Sequence, residues 1–247
     1  MERARAFGLV AEEYDRGRPA YAPEAIRWLL GDEPLDVVDL GAGTGKLSEG
    51  LASAGHRTIA VEPLAEMRAI LHERIPAVRV VEGTAEETGL PDACADAVVA
   101  GSAFHWFDHA RALPEIVRIL RPPGVLGVLG NTFDPSQAWV AGLREVLDGS
   151  RSGRAGHRPG VEEFAQYFDS VADREFPHEE TVDRDRLRDL ALSRSGIALL
   201  GTEDQDALLA RLDRLWSDEP ELAGREEVSL RYLTRVRRCA GLRSRHV

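Results

Sequence analysis

Gly41, Gly43 and Gly45 stand at alternate positions in Val-Val-Asp-Leu-Gly-Ala-Gly-Thr-Gly, residues 37–45. Glycines set between an apolar run and a helix-like segment let the backbone approach a ligand closely, because no Cβ stands in the way. A tight turn that binds nothing needs one glycine rather than three in register. Roughly 20 residues beyond Asp39, at the end of the next apolar run, comes Glu62. Its two carboxylate oxygens only accept hydrogen bonds, which suits the two hydroxyls of a ribose. Alone, Glu62 reads as a solvated strand end; beside the glycines it reads as part of a nucleoside site. Gly83-Thr84-Ala85-Glu86, after a further strand-like run, can meet an adenine edge.

The elements that must position these residues follow from the pattern of apolar runs. Val37, Val38 and Leu40 predict a buried parallel strand that ends near Asp39. Residues 46–52 predict a helix, with Leu47 and Leu51 four apart, stopping at Gly55. A second strand runs over 57–62, and Pro63 opens a helix through 64–71. Residues 78–81, 96–100 and 124–129 predict three more strands, the middle one reached through the turn-like Leu90-Pro91-Asp92. Between the last two lies a helix over about 108–120, in which Pro114 either makes a kink or marks the true start. Strand and helix alternating in this way is the mark of an α/β sheet with mostly parallel strands. The first 30 residues read as helical, with Ala22-Pro23-Glu24 opening a helix that ends at Gly31. Helical spacing returns over 184–217, and 228–236 alternates as a half-exposed terminal strand should. No internal repeat is visible.

Composition narrows the field. The chain has 247 residues, 43% of them hydrophobic and 30% charged, which is long enough for a sizeable core. A net charge of −11 argues against a general affinity for nucleic-acid phosphates, although a local basic groove would not be excluded by it. Cys94 and Cys239 lie far apart without metal-ligand spacing, so no metal site is expected and a reducing cytoplasm is. No apolar run approaches the length of a membrane span, and the first residues lack the apolar core of a signal peptide.

The glycine spacing separates two kinds of nucleoside ligand. Dinucleotide-binding turns carry GxGxxG, whereas this chain has GxGxG with Thr44 before the last glycine and Lys46 after it. That arrangement resembles motif I of the class I S-adenosylmethionine-dependent methyltransferases. The resemblance continues in that family's order through Ala-Val-Glu-Pro, Glu-Gly-Thr-Ala-Glu-Glu, Leu-Pro-Asp-Ala-Cys-Ala-Asp-Ala-Val and Ile-Leu-Arg-Pro-Pro-Gly, covering residues 36 to about 130. Phe104-His105-Trp106-Phe107-Asp108 is similar to a stretch of the type 11 methyltransferases, a branch that includes trans-aconitate methyltransferase-like enzymes. Tyr14-Asp15-Arg16-Gly17-Arg18-Pro19-Ala20-Tyr21 is similar to the same branch's lid over the cofactor. Two residues depart from the pattern: Ser102 stands where many relatives have Gln, and Pro123 replaces the first glycine of a Pro-Gly-Gly turn.

The resemblance implies a Rossmann-like, seven-stranded, mostly parallel sheet with helices on both faces. It also implies an N-terminal helical lid over 1–34, a cofactor-binding core over 35–130, and a substrate cap with the last strands over 131–247. The cofactor would be S-adenosylmethionine. Gly41, Gly43 and Gly45 would border its methionine part, Glu62 would hold the ribose and Ala85 and Glu86 would sit at the adenine, with Asp39, Ala42, Pro63, Met67 and Thr84 also among the cofactor-binding residues. Ser102 and Phe104 would lie near the sulfonium, and Tyr14 and Arg18 at the cofactor carboxylate, unless Arg18 pairs with a surface acid. Tyr21, His105 and Trp106 would face the acceptor.

The expected partner is a small-molecule methyl acceptor, with neither nucleic acid nor membrane. A hydroxyl acceptor needs a base, for which His105 is the candidate; a carboxylate needs none, and His105 then only shapes the pocket. Gly149, Gly153, Gly156 and Gly160 mark a loop that is either a lid or a connector. Its Arg151, Arg154, His157 and Arg158 point to an anionic substrate, or equally to a solvated surface, and Ser193-Arg194-Ser195 is a further stretch that could face the acceptor. Two other readings are a methyltransferase fold kept as a binding or regulatory module, and an NAD-dependent oxidoreductase. The residues do not separate O-, N- and C-methylation, and they do not give the oligomeric state.

Overall fold

The computed structural model describes residues 11–148 and 160–243. The loop arginines at 151, 154 and 158, His157 and the loop glycines at 149, 153 and 156 lie outside these residues. Seven strands form one sheet: β1 (Asp36–Leu40), β2 (Arg57–Val61), β3 (Arg79–Val81), β4 (Ala95–Gly101), β5 (Leu120–Phe133), β6 (Phe168–Asp183) and β7 (Glu227–Leu242). Their order is β3-β2-β1-β4-β5-β7-β6. β1 pairs in parallel with β2 on one side and β4 on the other, with Asp39 opposite Ala60 and Val99. The chain runs outward from β1 to β3 and then crosses back to β4, so the strand order switches between β1 and β4. In open α/β sheets the carboxyl ends at that switch point are where ligands bind.

By internal contacts the described chain divides into two units. The sheet unit comprises 20–131, 160–176 and 234–243; the helical unit comprises 11–19, 132–148 and 177–233. The boundary falls within β5, β6 and β7, and within the 1–34 segment at residue 19.

In the sheet unit, Val37, Val38 and Leu40 are buried because β1 is central and covered on both faces. Its helices include α2 (Pro23–Leu30), α3 (Lys46–Ser53), α4 (Ala65–Arg74) and α5 (His109–Ile119). Pro23 opens α2 at a position where a missing N–H costs nothing. α5 begins at Asp108, whose side chain accepts from Ala110 N at 3.1 Å, so Pro114 lies inside the helix rather than at its start. β5 is longer than its apolar stretch predicts, and the Pro122–Pro123 peptide within it is cis.

β6 carries no apolar alternation, which is why the sequence does not announce it. It lies at the sheet edge, where a proline (Pro177) and charged side chains on both faces are tolerated. Its acids instead pair across to β7. Asp173 meets Arg237 and Glu175 meets Arg235 in the sheet unit, and Glu179 meets Arg231 in the helical unit. Numbers rising on one strand and falling on the other make this pair antiparallel.

The helical unit contains α1 (Ala11–Gly17), α6 (Ala138–Asp148), α8 (Arg184–Leu192), α9 (Ser195–Ala198) and α10 (Thr202–Asp218); the short α7 (Val161–Ala165) belongs to the sheet unit. Trp139, Leu143, Leu190, Leu212, Trp216 and Leu222 fill its own apolar core. The helical spacing over 184–217 thus resolves into three helices. A Cβ at Gly17 would lie 2.3 Å from Leu190 N, so glycine lets α1 lie directly against α8.

Candidate cofactor and acceptor site

The turn after β1 has positive φ at all three glycines: +66° at Gly41, +58° at Gly43 and +92° at Gly45. Side chains are disfavoured there by clash with the backbone. Packing adds a second demand at two of them. A Cβ at Gly41 would come within 2.8 Å of Ala103 Cβ, and one at Gly45 within 2.8 Å of Leu71 Cγ and 2.9 Å of Ile75 Cδ1. Gly45 is buried, and its lack of a side chain lets α4 close on the turn.

The turn is fastened to β2. Gly41 N and Ala42 N both donate to Val61 O, at 2.8 and 3.2 Å. Gly43 N donates to Glu62 Oε2 at 2.9 Å, and Leu64 N to Glu62 Oε1 at 3.0 Å. Each carboxylate oxygen keeps a further lone pair to accept from outside. Glu62 is buried, and that burial holds its pKa above the ordinary carboxylate range against the two N–H donors and Arg68. Arg68, which no motif or spacing marks, clamps the strand end: Nη1 donates to Glu62 O at 2.9 Å and Pro63 O at 2.7 Å, and Nη2 to Glu82. Pro63 is exposed beside it, and Met67 is buried on α4.

Asp39 lies at the end of β1, just before the turn. It is fully buried, and its Oδ2 accepts from Ser48 Oγ at 2.7 Å. It ties α3 to the end of β1. Burial, with the charge of Glu62 adding, pushes its carboxyl up to about 7, against the Ser48 hydrogen bond.

After β3, Thr84 N donates to Glu87 O at 3.0 Å and Glu87 N to Thr84 Oγ1 at 3.2 Å, closing a tight turn. Thr84 is exposed, Ala85 buried and Glu86 half-buried. Glu86 Oε1 accepts from Asp108 N at 2.8 Å, which joins this turn to the segment after β4.

That segment begins at Ser102, a residue with φ +55° whose N–H donates to Leu129 O at 2.8 Å. A 3-10 turn, Phe104–Trp106, follows. Phe104 is buried among Phe107, His109 and Phe164, with ring centroids 4.8–5.6 Å away. Its neighbours His105 and Trp106 are exposed, their ring centroids 5.0 Å apart. His109 escaped the sequence reading, since a histidine one helical turn after His105 carries no signal of its own. Its Nε2 lies 3.0 Å from Phe104 O and its Nδ1 3.4 Å from Glu163, so it fastens the 3-10 turn to α7.

Tyr21 belongs to the sheet unit; it is buried and donates to Ser102 Oγ at 3.0 Å. Tyr14 and Arg18 belong to the helical unit. There the Arg18 guanidinium stands 5.1 Å from the Tyr14 ring centroid and donates to Ser193 O at 2.9 Å. Among the described residues no cluster of His, Cys, Asp and Glu is placed to hold a metal ion, and no helix is long and apolar enough to cross a membrane.

Within the sheet unit the glycine turn, Glu62, the 84–87 turn and the 102–106 segment therefore gather at the carboxyl ends of β1 to β4. The donor set fits a nucleoside: a backbone cradle of positive-φ glycines beside a fixed acid with lone pairs to spare. Comparison with known proteins agrees. Residues 38–128 match the family model described as a methyltransferase domain. An uncharacterised methyltransferase of Mycobacterium tuberculosis is 38% identical over 231 residues, 93% of each chain. A malonyl-[acyl-carrier protein] O-methyltransferase of Pectobacterium atrosepticum is 36% identical over 156 residues, 60% of each chain. A solved structure from Anaeromyxobacter dehalogenans, assigned as a type II methyltransferase, is 26% identical and superposes with a TM-score of 0.67 over 92% of this chain and 99% of that one. The chain belongs to the S-adenosylmethionine-dependent methyltransferases, with the seven-stranded Rossmann-like fold of that family.

Proposed function

We propose that this enzyme methylates an oxygen of a small acceptor group, a carboxylate or a hydroxyl, and that it belongs to the trans-aconitate methyltransferase-like branch. The observation that carries the reading is the juxtaposition of Gly41 with Ala103 and Phe107, which sets the residues after β4 directly against the cofactor turn. The acceptor of the Pectobacterium relative, a malonyl group methylated on oxygen by that protein's name, supports it. The resemblance of residues 104–108 supports the branch.

S-adenosylmethionine, when bound, supplies a methyl group already activated by its sulfonium. The chain's task is then to bind and align, and proximity with orientation can lower a barrier by about 7–11 kcal/mol. Glu62 would accept from the ribose hydroxyls through its remaining lone pairs. Gly41, Ala42 and Gly43 would line the methionine side, and Thr84 and Glu86 the adenine side. His105 and Trp106, exposed beside the turn, would form the wall against the acceptor. For a hydroxyl acceptor His105 would be the base; for a carboxylate no base is required. With a net charge of −11 and no stretch that reads as a nucleic-acid-binding motif, a cytoplasmic enzyme acting on small molecules is the consistent picture.

The test has two steps. Thermal stabilisation by S-adenosylhomocysteine against NADH reads the cofactor. Transfer of labelled methyl over a panel of small acids, phenols and amines reads the acceptor. Stabilisation without transfer to any acid or phenol, or preference for amines, would overturn the proposed function.

A further inference from the structure

Glu62 sits where the ladder between β2 and β3 stops. The two strands pair as far as Val61 opposite Val81, and Glu62 N still donates to Val81 O at 3.1 Å. The next residue, Pro63, has no N–H to carry the ladder further. A residue just past the end of a sheet is free to swing. An acid that must meet two hydroxyls at hydrogen-bond distance needs that freedom removed.

Arg68 removes it. Its Nη1 donates to two successive carbonyls, Glu62 O at 2.9 Å and Pro63 O at 2.7 Å. A closed circuit results. Leu64 N donates to Glu62 Oε1 at 3.0 Å, Arg68 N donates to Leu64 O at 3.0 Å, and the Arg68 guanidinium returns to Glu62 O. Glu62 is thereby held at both ends, its carboxylate by Gly43 N and Leu64 N and its carbonyl by Arg68. A planar guanidinium suits the place, because its fork offers several donors at fixed angles where an ammonium offers a point charge.

The other partner of Arg68 matters less. Nη2 donates to Glu82 Oε2 at 2.8 Å, but the Glu82 side chain is 76% exposed, and an ion pair so open to water is worth little. The Arg68 side chain is 19% exposed, so its bond to the Glu62 carbonyl is the better shielded one. Its positive charge also favours the ionised carboxylate of Glu62 against the effect of burial.

We infer that Arg68 is the positioning residue for ribose recognition: by fixing the backbone of Glu62 and Pro63 it keeps the Glu62 carboxylate aimed at the two ribose hydroxyls of the cofactor. This rests on Glu62 as the ribose acid and assigns what aims it. Arg68 acts through Glu62, so its contribution to cofactor affinity is confined to the part that the hydroxyls supply. A merely structural role would weaken every cofactor analogue alike.

The experiment measures binding of S-adenosylhomocysteine and of its 2′,3′-dideoxy analogue to the full chain by calorimetry. The proteins are the wild type, Glu62→Gln, Arg68→Met, Arg68→Lys, Glu82→Gln and the double variant Glu62→Gln with Arg68→Met. A hydrogen bond to a charged group corresponds to about a ten- to hundredfold change in affinity, which is the preference for the natural ribose expected of the wild type. Glu62→Gln should lose most of it. Arg68→Met should lose about tenfold of it while binding the dideoxy analogue as the wild type does. Arg68→Lys, which keeps the charge without the fork, should stay well below the wild type, and it carries the comparison alone should Arg68→Met not fold. In the double variant, removal of Arg68 should change the preference by less than about twofold, because nothing remains to be aimed. Glu82→Gln should match the wild type. An undiminished preference in Arg68→Met, equal losses for both analogues, or full recovery in Arg68→Lys would overturn the positioning role while leaving Glu62 in place. A wild type that binds both analogues equally would remove Glu62 as the ribose acid and the inference with it.

Discussion

Replacing Asp39 with Asn tests whether the acid behind the cofactor turn stabilises the fold or burdens it. Asp39 is fully buried, with Ser48 as its hydrogen-bond donor and with Oδ1 unpartnered. Its carboxyl is held near about 7 against an ordinary value of 3.8. A folded pKa above the unfolded one means the folded state holds the proton more tightly. The resulting stabilisation is complete below the unfolded value and is lost as pH rises through the folded value. Integrating between pH 5 and pH 8, the wild type should lose about 2–3 kcal/mol relative to Asp39→Asn, which does not titrate. Groups common to both proteins cancel in the difference. The assay is urea unfolding of the ligand-free proteins at several pH values across that range. Asn can accept from Ser48 in the same place, so the variant should fold. A wild-type minus variant difference that stays flat within about 0.5 kcal/mol would refute the claim that burial dominates at Asp39.

Other expectations follow from the same structure. Glu62→Gln removes the charge that the Gly43 and Leu64 N–H groups hold in place; S-adenosylhomocysteine affinity by calorimetry should fall about ten- to hundredfold, and an unchanged value would remove Glu62 from the site. Gly45→Ala forces a Cβ against Leu71 and Ile75 at a φ of +92°, which should cost about 2–4 kcal/mol of stability in denaturant melts; a neutral result would mean that α4 yields easily. Glu115 accepts from Thr88 and Arg118, whose guanidinium holds its carboxyl down at about 2. Its stabilisation is present above the ordinary value of 4.5 and lost as pH falls through about 2, so the advantage of the wild type over Glu115→Gln should shrink over that window in acid titrations.

Much of the cofactor half was legible in the chain because its signals are local. Three alternate glycines between an apolar strand and a helix can be read without knowing what surrounds them, and so can an acid at the next strand end. Backbone chemistry fixes those positions, and the residues that carry it are neighbours in sequence. The long-range contacts are different. Tyr21 meets Ser102 only because the 20–22 segment is tied to β5 and β7, and no spacing in the sequence encodes a contact over that separation. Asp39 and Phe104 show the same limit: nothing in the spacing around them says that both are fully packed. Arg68 and His109 were silent in the sequence because a lone arginine or histidine on a helix has many uses, and its partners decide which. β6 went unread because an edge strand needs no apolar face, and its charges pair with β7 instead. The sequence by itself determined the kind of ligand the turn after β1 can hold. Only the tertiary structure decided which side chains stand free to use it, since that depends on what each one is packed against.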